Sequence, residues 1–119
     1  MARVLLVGYI PELLQERERI LRAAGHTVTV GPSFAATSAA IAQETFDVAV
    51  LGFSVPEAER NQLARTLKDA SPSTRLILIY FSSVKNTELA DALMPTSATA
   101  EEVLRAVNHI VSKNREKQA

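Results

Sequence analysis

The residues of this chain that could do chemistry are sparse, and their spacing limits what they can do. The acids that flank apolar runs are Glu12, Asp47 and Glu57, the loop hydroxyls are Ser54, Ser82 and Ser83, and His26 and His109 are the two histidines. A hard divalent cation needs several converging carboxylate oxygens. Glu12 and Glu57 instead stand at the first turns of helix-patterned segments, where an acid complements the helix dipole. Asp47 opens an apolar run that ends at Gly52, and five residues at about 3.3 Å each put roughly 16 Å between them. It is assigned to the start of a strand, at the opposite edge from Gly52. The serines have no base implied by spacing and are assigned to backbone satisfaction in loops, and Lys85 is assigned to a solvated loop. His26 falls at a strand start and His109 on the last helix, both as structural or surface residues. Gly8, Gly25, Gly31 and Gly52 never form G-x-G-x-x-G or a Walker-type loop. With no cysteine, disulfides, thiolate zinc sites and cysteine nucleophiles are excluded together. No nucleophile, base and orienting group can be assembled, so neither an enzyme nor a cofactor is expected.

The elements that must position these residues are clearer. A chain of 119 residues suits one domain with its own core. With 13 Lys plus Arg against 13 Asp plus Glu, no strong field exists to draw in nucleic acid or an anionic membrane. The apolar run after Arg3 is short and leads into Pro11 and charges without a cleavage pattern, which makes it a buried strand and not a signal peptide. No run approaches the length of a membrane helix, and a cytoplasmic location is expected.

"RVLLVG" (3–8), "DVAVLGF" (47–53) and "RLILIYF" (75–81) suit strands buried on both faces of a parallel sheet; "HTVTVG" (26–31) alternates more, as a strand nearer an edge does. Pro11 to Ala24 sets Leu13, Leu14, Arg17, Ile20, Leu21 and Ala24 at helical spacing, with Gly25 as the stop. Phe34 to Glu44 is a second helix packed through Ala39, Ile41 and Ala42, and Glu57 to Ala70 a third, burying Leu63, Ala64 and Leu67. Thr99 and Glu102 form a capping box before a last helix with a stripe of Val103, Leu104, Val107, Ile110 and Val111. Only thirteen residues lie between Tyr80 and Met94, so the fourth connection is expected to be abbreviated or irregular. A short strand covers Ala92 to Met94. The domain is drawn over 1–112, with 113–119 as a solvated tail.

"RVLLVGYIPEL", "FDVAVLGFSVPE" and "LMP" before the capped helix resemble the response-regulator receiver domain over nearly the whole chain. The resemblance implies an α/β, flavodoxin-like fold: a five-stranded parallel sheet in the order 2-1-3-4-5 with helices on both faces and a shortened or irregular fourth helix. It also implies positions for the family's chemistry. Gly8 and Tyr9 stand for the paired acids that hold Mg²⁺, Gly52 for the phosphoacceptor aspartate, Tyr80 for the hydroxyl residue and Met94 for the lysine. None of them can do the family's work, because glycine offers no nucleophile and methionine no charge for the transferring oxygens. The mouth of the sheet is therefore expected to lack ionisable groups, with the rings of Tyr9 and Tyr80 filling the space left there.

A degenerate receiver, or pseudo-receiver, follows from the resemblance: a two-component signalling module independent of phosphorylation, acting by protein–protein interaction. Its face for another signalling protein, or for a homodimer, is expected to comprise Tyr80, Phe81, Leu93, Arg105 and His109, with the loop from Ser82 to Leu89. The alternative is a small-molecule sensor using Tyr9, Gly52 and Tyr80 at the sheet edge, where glycines permit close approach of a ligand.

Overall fold

The computed structural model describes residues 2–80 and 89–118, with side chains through residue 113. Its strands are β1 (Arg3–Val7), β2 (Thr27–Gly31), β3 (Val48–Leu51), β4 (Arg75–Tyr80) and β5 (Ala92–Pro95). The helices of the described residues are α1 (Pro11–Ala23), α2 (Phe34–Gln43), α3 (Glu57–Ala70) and α4 (Ala100–Gln118). The sheet is parallel throughout, in the order β2-β1-β3-β4-β5, as expected. Phe81 and the abbreviated fourth connection lie outside the described residues, apart from its last residues before β5.

Strand alternation divides the core in two. Val4, Leu6, Val48, Val50, Ile77 and Ile79 face Leu14 and Leu21 of α1 and Val103 and Val107 of α4. Leu5, Val7, Ala49, Leu51, Leu76 and Leu78 face Ile41 of α2 and Leu63, Ala64 and Leu67 of α3. Fully buried β1 and β3 account for the unbroken apolar runs, and the more alternating β2 is an edge strand.

The expected caps form. Pro11 opens α1, and Gly25, at φ 94°, closes it with its N–H bonded to the Arg22 carbonyl at 3.0 Å, in a left-handed conformation that favours glycine. Thr99 and Glu102 exchange hydrogen bonds of 2.9 and 3.1 Å. One expectation is corrected. In α2 the buried residues are Thr37 and Ile41, with Phe34 and Ala40 half-buried, while Ala39 and Ala42 are exposed; an alanine-rich helix offers too little contrast to fix its phase from sequence. The last helix, α4, runs on to Gln118.

The strand starts are tied by side chains. Asp47 accepts the Arg3 N–H at 2.8 Å, at the end of the sheet assigned to it. His26 is buried; its Nδ1 accepts the Ala2 N–H at 3.2 Å and its Nε2 lies 2.7 Å from Asn108 Oδ1. An accepting Nδ1 requires the hydrogen on Nε2, donated to Asn108. The ring thus fastens the start of β1 to α4, a structural role. Asp91, just before β5, accepts from the Leu76 N–H at 2.7 Å, Lys68 at 3.1 Å and Arg75 at 3.1 Å.

Candidate functional site

The site lies where β1 and β3 end. Val7 pairs with Leu51, so the next residues, Gly8 and Gly52, stand side by side past the last rung of the ladder. The Gly52 N–H donates to the Val7 carbonyl at 2.8 Å, and the Gly8 N–H donates to the Gly31 carbonyl at 3.2 Å. Neither has a positive φ, so what matters here is the missing side chain.

That space at Gly52 is occupied by an arginine. A β-carbon built on Gly52 would stand 3.1 Å from the Val7 carbonyl oxygen, 3.3 Å from Nη1 of Arg17 and 3.7 Å from the Gly8 Cα. Arg17 lies on the buried stripe of α1, three residues after Leu14 and four before Leu21, and is only 5 % exposed. Helical period turns it inward with the leucines, and its length carries the guanidinium to the strand ends. Burial lowers its pKa from the ordinary guanidinium value, yet an arginine remains charged. Among the described residues, none forms a hydrogen bond or ion pair with it. The expectation of a mouth without ionisable groups is therefore overturned: the pocket holds a buried cation.

Tyr9 does not fill that space either. Its ring packs on the α2–α3 core, and its hydroxyl donates to Glu59 Oε1 at 2.9 Å. Burial, the hydrogen bond to Glu59 and the charge of Glu59 push its pKa up to about 12. Its backbone N–H donates to Ser54 Oγ at 2.8 Å. Neither tyrosine ring is among the three atoms nearest the built β-carbon of Gly52, which belong to Val7, Arg17 and Gly8. Tyr80, half-buried, ends β4 opposite Pro95, and Met94 pairs with Ile79 and packs on the α1–α4 core. The five pocket positions are thus all at or near the carboxyl edge, with Gly8, Tyr9 and Gly52 clustered and Tyr80 and Met94 further along it.

A divalent cation does not fit this donor set. Gly8, Tyr9 and Gly52 bring no carboxylate, and a fixed positive charge stands where the ion's ligands would have to converge. Among the described residues no group of three or more His, Asp or Glu is placed to hold a metal.

On the surface, Leu93 of edge strand β5 is 46 % exposed, and Arg105 and His109 are exposed neighbours on α4. Ala92 and Met94 turn to the α1–α4 core, so alternation sends Leu93 to the opposite side of the sheet. The face thus has residues on both sides of edge strand β5.

No protein-family model and no curated protein matches the chain. Solved structures do, and they are receiver domains. A CheY-like response regulator receiver domain protein from Methanospirillum hungatei JF-1 superimposes with a TM-score of 0.87 at 20 % identity, over 98 % of both chains. The receiver domain of the Francisella response regulator 1452 gives 0.81 at 16 % identity, over 96 % of this chain and 99 % of its own. Response regulator TrrA from Thermotoga maritima, in complex with Mg²⁺ and BeF, gives 0.79 at 18 % identity, over 92 % of this chain and 99 % of its own. The fold is that of the CheY-like, flavodoxin-like receivers.

Proposed function

We propose that this protein is a pseudo-receiver: a cytoplasmic signalling module of a two-component or related pathway that works without phosphorylation of its own, by docking another signalling protein or a second copy of itself. The observation that carries this reading is the exchange at the end of β3, where Gly52 offers no carboxylate and the guanidinium of Arg17 takes up the space beside it. Acyl phosphate formation needs a carboxylate nucleophile and a metal to balance the phosphoryl charge, and neither fits. A preserved fold without that chemistry leaves surface recognition as its use. Leu93, exposed on edge strand β5 and flanked by Arg105 and His109, supports docking there, since an edge strand carrying an exposed apolar residue is suited to a partner. No helix among the described residues is long and apolar enough to cross a membrane.

Intact-mass measurement after incubation with acetyl phosphate and Mg²⁺ tests the first half; no phosphoryl adduct is expected, and a stable acyl phosphate overturns the reading. Sedimentation of the wild type and Leu93→Glu tests self-association. A dimer lost in the variant supports the β5 face, while a dimer that persists places the interface elsewhere.

A further inference from the structure

We propose that the groove between α3 and the start of β5 docks an acidic amphipathic helix of a partner protein. The inference rests on the reading that this protein works by docking, and it adds which side of β5 is used and the chemistry of what lies there.

The α2–α3 layer stops short of the sheet's edge. Its core takes Leu5 and Val7 from β1, Ala49 and Leu51 from β3, and Leu76 and Leu78 from β4, but among the described residues none from β5. Leu93 is the ladder partner of Leu78. Alternation points it to this same side, where it is 46 % exposed. Beside it runs a groove of about 360 Å³, with Leu76 and Leu78 as its floor, α3 as one wall, and Leu89 and Ala90 on the other. Leu89 is 37 % exposed, so the two large apolar side chains exposed among the described residues stand at this one groove or next to it. Exposed leucines gathered on one face, unlike single ones scattered over a surface, mark a contact site.

The rim says what kind of partner fits. Arg60, Arg65 and Lys68 of α3 line the groove, with Asp69 the acid among them. Asp91 pairs with both Lys68 and Arg75, so the count becomes four cations against two acids, in a chain of zero formal charge. Arg65 stands exposed there. Apolar residues bordered by excess positive charge are complementary to a stripe of leucines bordered by acids.

A helix suits the place because α2 and α3 already form the layer on this side of the sheet, and a further helix beside α3 continues it over β5. Between β4 and β5 the chain has only residues 81–91, short of the roughly dozen or more that a helical crossover takes. A full-length helix over β5 is more than that connection can supply.

The test is fluorescence anisotropy of two synthetic amphipathic helices titrated with the full chain. Both carry the same leucine stripe; one has glutamates on its polar face and the other lysines. Saturable binding of the glutamate peptide is expected, at least about tenfold tighter than the lysine peptide at low salt, with the preference shrinking as salt is raised. Leu93→Glu and Arg65→Glu, both at exposed positions, are each expected to weaken the glutamate peptide at least about fivefold. No saturation, or equal affinity for the two peptides, overturns the proposal. So does a loss in Arg105→Glu that Arg65→Glu does not share, which would put the contact on the α4 side and leave docking itself in place. A dimer that Leu93→Glu abolishes makes a second copy the occupant and likewise overturns it. Failure of the pseudo-receiver reading shows separately, as a stable acyl phosphate in the mass measurement.

Discussion

Replacing Arg17 with methionine should stabilise the protein. The side chain is 5 % exposed between Leu14, 5 % exposed, and Leu21, fully buried, and it lacks a polar partner among the described residues. Desolvating a charge is costly, and exchanging buried ionic groups for apolar ones of similar volume is neutral or stabilising by about 1–4 kcal/mol. Methionine is unbranched and of comparable length, so it fills the same channel without a hydroxyl or charge to satisfy. Allowing for the slight solvent contact that remains to the guanidinium, a gain of about 1–2 kcal/mol is expected. For a domain of 119 residues that raises the thermal midpoint by roughly 4–8 °C. The assay is thermal and urea unfolding in a buffer free of phosphate and carboxylates, because an anion bound to the native state would stabilise the wild type alone. Leu21→Ala sets the scale, since a buried leucine truncated in the same stripe costs about 2–5 kcal/mol. A methionine variant with a lower midpoint than wild type would refute the reasoning and show that the guanidinium is held by an interaction worth more than its desolvation.

Other changes follow from named contacts. Gly31→Ala should destabilise by about 1–3 kcal/mol, because the added carbon would run into the Thr37 hydroxyl and lie 3.4 Å from the Thr37 Cα, driving α2 off β2; an unchanged urea midpoint would contradict this packing. Asp91→Ala should cost about 1–2 kcal/mol at neutral pH, discounted for partial exposure. Burial pulls the Asp91 pKa upward, but the Leu76 N–H, Lys68 and Arg75 together hold it below the ordinary carboxyl value. Its contribution is thus present above that ordinary value and lost as pH falls through the folded one, so wild type and variant should converge in acid; a gap that persists there would contradict the linkage. Tyr9 should ionise near pH 12, followed by ultraviolet absorbance in Tyr80→Phe, which leaves it the sole tyrosine. Because its pKa is raised in the folded state, its stabilisation is complete below pH 10 and declines between about 10 and 12; a midpoint near 10 would mean the Glu59 contact is not kept.

The strands and most helix faces were legible because burial on both faces writes a clear pattern, as in Val4 to Val7 and Val48 to Leu51, whereas the strand order came from the resemblance. The phase of α2 was not legible, since alanines at 35, 36, 39, 40 and 42 look alike whether they face in or out, and Thr37 gained its buried place by donating its hydroxyl to the Ser33 carbonyl at 2.7 Å. Asp91 was missed for a different reason. Its partners, Lys68 and Arg75, lie 23 and 16 residues away, and no local pattern announces a carboxylate that ties one strand start to another.

Arg17, in contrast, was visible and misjudged. Its place on the stripe with Leu14 and Leu21 gave its inward direction, and Gly8 and Gly52 gave two vacated side chains at the strand ends; the missing step was to ask what a long cation on that stripe would reach. Under the proposed function, Arg17 and the glycines at 8 and 52 belong together: a guanidinium beside a divalent cation would repel it, and neither glycine brings a carboxylate to hold one.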